Sequence, residues 1–379
     1  MMIMKLSKLN LLTAALLIII LALSACSGDD APNNGDIAGQ GSGNAGDTGS
    51  GSGSGSTEAY LAGAVEPRIG EITNPQTAYY RYNSNLYKMD INGSNVTQIT
   101  ELPTTDPIVF GDWIYYFVAE WTSGGKVAPN IRAIRTDGTD DMRLVEAPVR
   151  TDTEFRGHAV QGEWLYYGFG KDISAITTHI EREDREWRRI KQGIGDPFYI
   201  RAVDNGWLYY TTGGHGVAEP GIWRIRTDGT DEAKVADGQF DGDIFFDGDW
   251  IYAYRVYAFS SSDHGVYKIA KDGSSSELIQ AHPEGDRDSQ GLLVHGGYIY
   301  NVHSSFELTK TEARAGADAA VLDYDGEDVI FLLGASAEHL YYRVRSEIYR
   351  IAFDGSGRTK ITDEIVPGQR VWPGRFILR

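Results

Sequence analysis

One six-residue phrase constrains this chain more than any other feature. Residues 111–116 read GDWIYY, and the phrase returns as GEWLYY at 162–167, NGWLYY at 205–210 and GDWIYA at 248–253. Looser copies extend the series to TAYY at 77, YIYN at 298 and HLYY at 339. Successive aromatic starts lie 36, 51, 43, 43, 48 and 41 residues apart. A period of about 40–50 residues suits a four-stranded propeller blade. Aromatic and β-branched residues favour strands. The phrase is apolar at consecutive positions: Trp113 and Tyr115 point to one side, Ile114 and Tyr116 to the other. A strand apolar on both faces needs cover on both, which a blade packed between two neighbours provides.

Each copy has regular company. A second phrase follows it: LYKMDINGS (86–94), IRAIRTDGT (131–139), IWRIRTDGT (222–230), VYKIAKDGS (266–274) and IYRIAFDGS (348–356). Asp-Gly and Asn-Gly suit tight hairpins because glycine accepts positive φ. A third short strand comes next, as in ELIQ (277–280) or TKIT (359–362). Units three and six are degenerate. In unit three, EREDREWRR (181–189) has i,i+4 charge pairs that would suit a short helix. The strand-like residues flanking that run favour a charged hairpin tip instead. The first unit lacks an entering strand, and the C-terminal RVWPGRFILR (370–379) resembles the segments that enter the other aromatic strands. A C-terminal strand supplying that missing edge would close the ring and leave no open sheet edge. The expectation is therefore an all-β chain, a single β-propeller over residues 57–379 with four-stranded antiparallel blades. Seven blades are favoured, with six as the alternative.

The phrases IWRIRTDGT and VYKIAKDGS resemble the second half of the repeats in low-density-lipoprotein-receptor-type (YWTD) propellers. The aromatic phrase stands where that class has Tyr-Trp-Thr-Asp, but no copy carries the Asp, so that residue's role does not transfer. The chain is more similar to bacterial exported propellers of the TolB-like and receptor-type group over about residues 70–379. That resemblance implies a fold, and a binding or assembly role by association. Function itself lives in sites grafted onto a fold.

The N-terminus reads as a targeting segment. Lys5 and Lys8 precede an apolar run, Leu11–Leu23, broken only by Thr13. That run is shorter than the roughly 20 residues of a spanning helix. It ends in Leu23-Ser24-Ala25-Cys26, similar to the lipobox of bacterial lipoproteins. The resemblance implies cleavage before Cys26, so that residues 1–25 are a signal peptide and Cys26, the only cysteine, carries the lipid anchor. Residues 26–56 follow the cut, and from Gly28 to Ser56 they are mostly Gly, Ser, Asn, Asp and Ala, with one branched aliphatic, Ile37. Such a composition reads as a disordered tether, reaching about 30 Å. The expected location is the cell membrane, lipid-anchored and facing outside the cytoplasm, on the extracellular face or in the periplasm.

The formal charge is −18, and losing Lys5 and Lys8 with the signal takes it to −20. That acidity argues against a nucleic-acid surface. Catalytic and metal signatures are not recognisable. The eight histidines form no His-x-x-x-His pair, although His295 and His303 flank one aromatic strand. Asp241, Asp243, Asp247 and Asp249 cluster without EF-hand spacing and read as turn aspartates. No cofactor, metal ligand or catalytic residue is nominated. The candidate binding rim is the set of long connections 119–130, 211–221 and 260–265, which hold Trp121, His215 and His264. The expected function is a non-catalytic, monomeric binding or assembly module for an envelope protein or polymer. The alternative is an extracellular hydrolase of carbohydrate or peptide, working through carboxylates or histidines at the channel mouth.

Overall fold

The chain divides into two units, Met1–Gly53 and Ser54–Arg379. The computed structural model describes residues 75–378 of the second, apart from 83, 122–126, 147–154, 179–184, 195–196, 215–216, 257–262, 282–290, 304–305, 325, 327–329, 346 and 363–376. Cys26 and the Gly/Ser segment thus lie outside the described residues.

The repeat folds into seven four-stranded antiparallel sheets, each a blade of a β-propeller. In blade 2 the strands are Thr105–Phe110, Trp113–Trp121, Val127–Arg135 and Met142–Glu146, in that spatial order. The first strands of blades 3 to 7 are Phe155–Gln161, Phe198–Asp204, Phe240–Asp247, Leu292–His295 and Ile330–Ala335. First strands of successive blades touch one another around the ring and so line its centre. Blade 1 takes its innermost strand from the far end of the chain: Leu378 pairs with Ala78 and Ile377 with Tyr79. The expected closure by the C-terminus is borne out, and seven blades replace the choice of seven or six. In unit three, Asp172–Thr177 pairs with Trp187–Lys191, so the charged run bridges a hairpin, with residues 179–184 outside the described set.

The aromatic strand behaves as its two-sided pattern requires. Ile114, Tyr115 and Tyr116 are almost fully buried, as are Leu208, Tyr209 and Tyr210 in blade 4. One face packs on the preceding blade and the other on the following one: Tyr115 sits in a cluster with Leu165 and Tyr167, and Tyr116 in one with Tyr79 and Leu86. Burial pushes both tyrosine hydroxyls far above their usual range. In blades 2, 4 and 7 the second tyrosine still finds a partner in or next to a fourth strand. Tyr116 Oη donates to Asp141 at 2.7 Å, and Tyr210 and Tyr342 donate to Glu232 and Asp323 at 2.5 Å.

The basic residue in the second phrase joins the blades. Lys88, Arg224, Lys268 and Lys310 hold equivalent places and donate to a main-chain carbonyl in the turn of the next blade. The acceptors are Thr136, Lys271, Ala313 and Phe353, at 3.2, 2.6, 3.4 and 3.0 Å. Three of these cations also lie over the first aromatic ring of their own blade: Arg224 over Trp207 at 4.2 Å, Lys268 over Trp250 at 4.5 Å and Lys310 over Tyr298 at 4.1 Å. The tryptophan of the phrase is therefore only half-buried, because a cation and not a hydrophobic layer covers it. Blades 4 and 5 are further tied by Lys271 and Asp204, 2.6 Å apart, with Asp204 buried and Lys271 partly so.

Candidate functional site

The first strand of blade 7 breaks register between Leu332 and Gly334, and the first strands of blades 2 to 5 carry an irregularity at a similar height. Their ladders to the second strand break between Thr105 and Ile108, Phe155 and His158, Ile200 and Ala202, and Asp241 and Ile244. The residues held out of register are Asp106–Pro107, Arg156–Gly157, Arg201 and Gly242–Asp243. A bulge kinks its strand and re-aims the side chains beside it. Local chemistry explains three of the four. Pro107 cannot donate a ladder hydrogen bond, and Asp106, Gly157 and Gly242 take φ of +48°, +84° and +71°. Gly157 also permits a close approach between blades, since a Cβ there would sit 2.4 Å from the carbonyl oxygen of Ile200.

These four bulges surround a cavity of about 330 Å³ at the end of the channel where the first strands begin. Asp106, His158, Tyr199, Arg201 and Asp243 line it, with Arg81 arriving from the end of a blade 1 strand, Thr77–Tyr82. Pro107, Ile108, Phe155 and Ile200 supply an apolar wall. Arginines crowd this end of a chain that is acidic as a whole. Arg156, only 4% exposed, and Arg201 place their guanidinium carbons 5.5 and 5.2 Å from the Tyr199 ring. Arg201 Nε donates to Thr211 Oγ1 at 2.9 Å, which fixes its direction. Arg81 is half-buried, and its Nε has no hydrogen-bond partner among the described residues. His158 is buried, with its ring 5.3 Å from that of Phe155. On the opposite side of the ring Arg343, 5% exposed, lies over Phe331 at 4.2 Å and donates to the Arg345 carbonyl at 2.6 Å. Burial pushes its guanidinium below the usual value.

The register relates this mouth to the rim residues expected from sequence. Thr105 pairs with Phe117, so the second strand runs toward the mouth and ends there at Trp121. His264 is half-buried just before the strand Gly265–Ala270, whose start pairs with Arg255, itself opposite Phe240 at the beginning of blade 5. Trp121 and His264 are thus at the mouth end of their blades. The Trp121 side chain and all of His215 lie outside the described residues. His295 and His303 do not meet: His295 faces Tyr298 at one end of a hairpin, while His303 faces Glu307 at the other. No group of three metal-type side chains forms among the described residues. The four clustered aspartates separate in role. Asp243 reaches the cavity, whereas Asp247 Oδ2 accepts the Gly297 main-chain N–H of blade 6 at 2.9 Å.

Arg81, Asp106, His158, Tyr199 and Arg201 carry no site signal in the sequence, and Asp243 reads there as a turn aspartate, because their spacing follows the repeat and no short motif. One trace was available: a Pro or Gly interrupting an apolar entering strand at matching positions, in TDPIVF, FRGHAV and FDGDIFF.

The chain is thus a seven-bladed β-propeller with a mixed-charge cavity at one mouth of its channel. No family model matches the sequence, and no curated protein resembles it closely enough to count as a relative. Solved structures do match its fold. A puromycin-hydrolysing peptidase from Mycobacterium tuberculosis is similar at TM-score 0.52 and 10% identity, covering 81% of this chain and 57% of its own. This chain thus spans little more than half the length of that peptidase. A functionally unknown protein from Desulfotomaculum acetoxidans matches at TM-score 0.50 and 10% identity, covering 80% of this chain and 98% of its own. A putative TolB from Agrobacterium tumefaciens aligns at TM-score 0.40 and 16% identity, over 58% of this chain and 82% of its own. At these identities the likeness is one of fold.

Proposed function

We propose that the protein is a non-catalytic binding module of the bacterial cell envelope, belonging with the exported receptor-type and TolB-like propellers. It is held outside the cytoplasmic membrane by lipid on Cys26 and by the tether that follows. One observation carries the binding role: four successive blades bulge at a similar height, and Asp106, His158, Arg201 and Asp243 beside those bulges line one cavity. Bulges recur beside functional sites because they re-aim side chains at a cost in ladder hydrogen bonds. The described lining holds no Ser, Thr or Cys that could serve as a nucleophile. It presents arginines, which suit recognition of anionic groups.

The same cavity supports a second reading, because Asp106, Asp243 and His158 meet there. Two carboxylates and an imidazole could run acid–base hydrolysis of a peptide or glycoside. Affinity capture from native envelope separates the two. A binding module retains an intact partner and loses it when Arg81 and Arg201 are both replaced by Met. A hydrolase turns its ligand over, and Asp106→Asn or Asp243→Asn abolishes turnover while leaving capture in place. For the anchor, Cys26→Ala should stop lipid labelling and move the protein out of the membrane fraction. Unchanged labelling would refute that part of the proposal.

A further inference from the structure

The charge pattern of the mouth specifies more than an anion. Resting on the binding-module reading, we infer that the cavity takes a small zwitterion with an apolar body: a free-ended short peptide with both its α-ammonium and its α-carboxylate exposed. Arg81 and Arg201 supply cations, and Asp106 and Asp243 supply carboxylates, all lining one space of about 330 Å³. That volume lies near the lower end of the roughly 300–1,000 Å³ typical of small-ligand pockets. A ligand carrying only negative charge would face Asp106 and Asp243 unfavourably, and a purely cationic one would face the two arginines. A ligand with both ends charged satisfies both pairs at once. Between the charges the wall is apolar, formed by Pro107, Ile108, Phe155 and Ile200, which suits aliphatic side chains better than a sugar ring's hydroxyls.

The carboxylate end has a specific place. Arg81 reaches the cavity from the end of its blade 1 strand and brings a cation to the lining. A guanidinium offers two parallel N–H groups to a carboxylate in a fork geometry that a lysine cannot reproduce. Arg201 is already directed, through its Nε bond to Thr211 and its place beside the Tyr199 ring. The ammonium end then faces Asp106 and Asp243, which come from blades 2 and 5. Recognition of the two ends is thereby divided among different blades, and the spacing of the bulges selects ligand length.

The test uses the full chain and leucyl-leucine, with N-acetyl-leucyl-leucine, leucyl-leucine amide and maltotriose as comparisons, followed by titration calorimetry. Leucyl-leucine should bind, and blocking either end should weaken it at least tenfold, with no heat from maltotriose. Arg81→Met should erase the difference between the free acid and the amide. Asp243→Asn should erase the difference between the free and acetylated amines. The wild-type comparison alone decides the matter if a variant fails to fold. Equal affinity for blocked and free peptides, or preference for maltotriose, would overturn the inference. So would silence with all four probes while envelope capture still succeeds, and that result would leave the binding-module reading standing. Consumption of leucyl-leucine would instead overturn the binding-module reading.

Discussion

Replacing Lys310 by Met should loosen the ring at the seam between blades 6 and 7. The Lys310 ammonium donates to the Phe353 carbonyl at 3.0 Å and sits 4.1 Å from the centre of the Tyr298 ring. Methionine keeps most of the aliphatic stem, so the change isolates the polar terms. A hydrogen bond to a charged group contributes about 1.5–3 kcal/mol, and a cation over an aromatic face about 0.5–1 kcal/mol. Freeing a long side chain from one rotamer and from desolvation returns on the order of 1 kcal/mol. The net loss is then about 1–3 kcal/mol. For a domain of this size each kcal/mol moves the thermal midpoint by roughly 2 °C, so the variant should melt about 2–6 °C lower. Arg314→Met is the control: its pair with Glu312 is 2.7 Å long, but both side chains are more than half exposed. Such pairs contribute about 0–1 kcal/mol. Calorimetry or circular dichroism melting reads both variants. If Lys310→Met melts within 1 °C of the unaltered protein, or no lower than Arg314→Met, the inter-blade clamp is not what holds the seam.

Three further outcomes follow from the same structure. Asp204→Asn leaves the partly buried Lys271 ammonium without its carboxylate. Breaking a fully buried pair costs about 3–5 kcal/mol, so the loss here should be at or below the low end of that range. Urea titration should show it, and Asn retaining full stability would contradict the assignment. In acid, Asp137, Asp228, Asp272 and Asp354 each accept a Ser or Thr hydroxyl and main-chain N–H, which holds their carboxyls below the usual value. Their contribution is complete above the unfolded carboxylate range and is lost as pH falls through the lowered folded values, so the midpoint should drop below about pH 4; Asp→Asn at all four should flatten that acid limb. In alkali, Tyr252 and Tyr300 are pushed up to about 12, mainly by burial. Raised tyrosines stabilise fully below the unfolded value near 10 and lose that contribution as pH climbs through 12. Absorbance at the tyrosinate band should therefore show these two silent at pH 10.5, and their titration there would refute the burial assignment.

The repeat made the architecture legible because it encodes contacts that every blade needs. A strand apolar on both faces, such as Trp113–Tyr116, has nowhere to go except between two sheets, and an Asp-Gly or Asn-Gly in five of the seven units sets their hairpins. Even the closure could be read, since blade 1 lacked a strand and the C-terminal RFILR looked like one. What stayed hidden was the purpose of single letters inside the repeat. Lys88, Arg224, Lys268 and Lys310 look like ordinary alternating strand cations, yet each reaches a carbonyl in the neighbouring blade. The partner lies 43–48 residues away in sequence, so no local pattern announces it.

The mouth was illegible for a stronger reason. Arg81, Asp106, His158, Arg201 and Asp243 come from five different blades, with no shared motif and separations of tens of residues. Only the closing of the ring brings them to one cavity, and only the bulges decide which side chains turn into it. A one-residue slip in a strand sends a side chain to the opposite face, so the repeat alone cannot say which way Arg201 or Asp243 points. By itself, the sequence determined the kind of structural unit and its repetition, leaving seven or six blades open, because the burial of each unit is local and periodic. The tertiary structure decided the chemistry of the channel, because that depends on register and on closure around the whole ring.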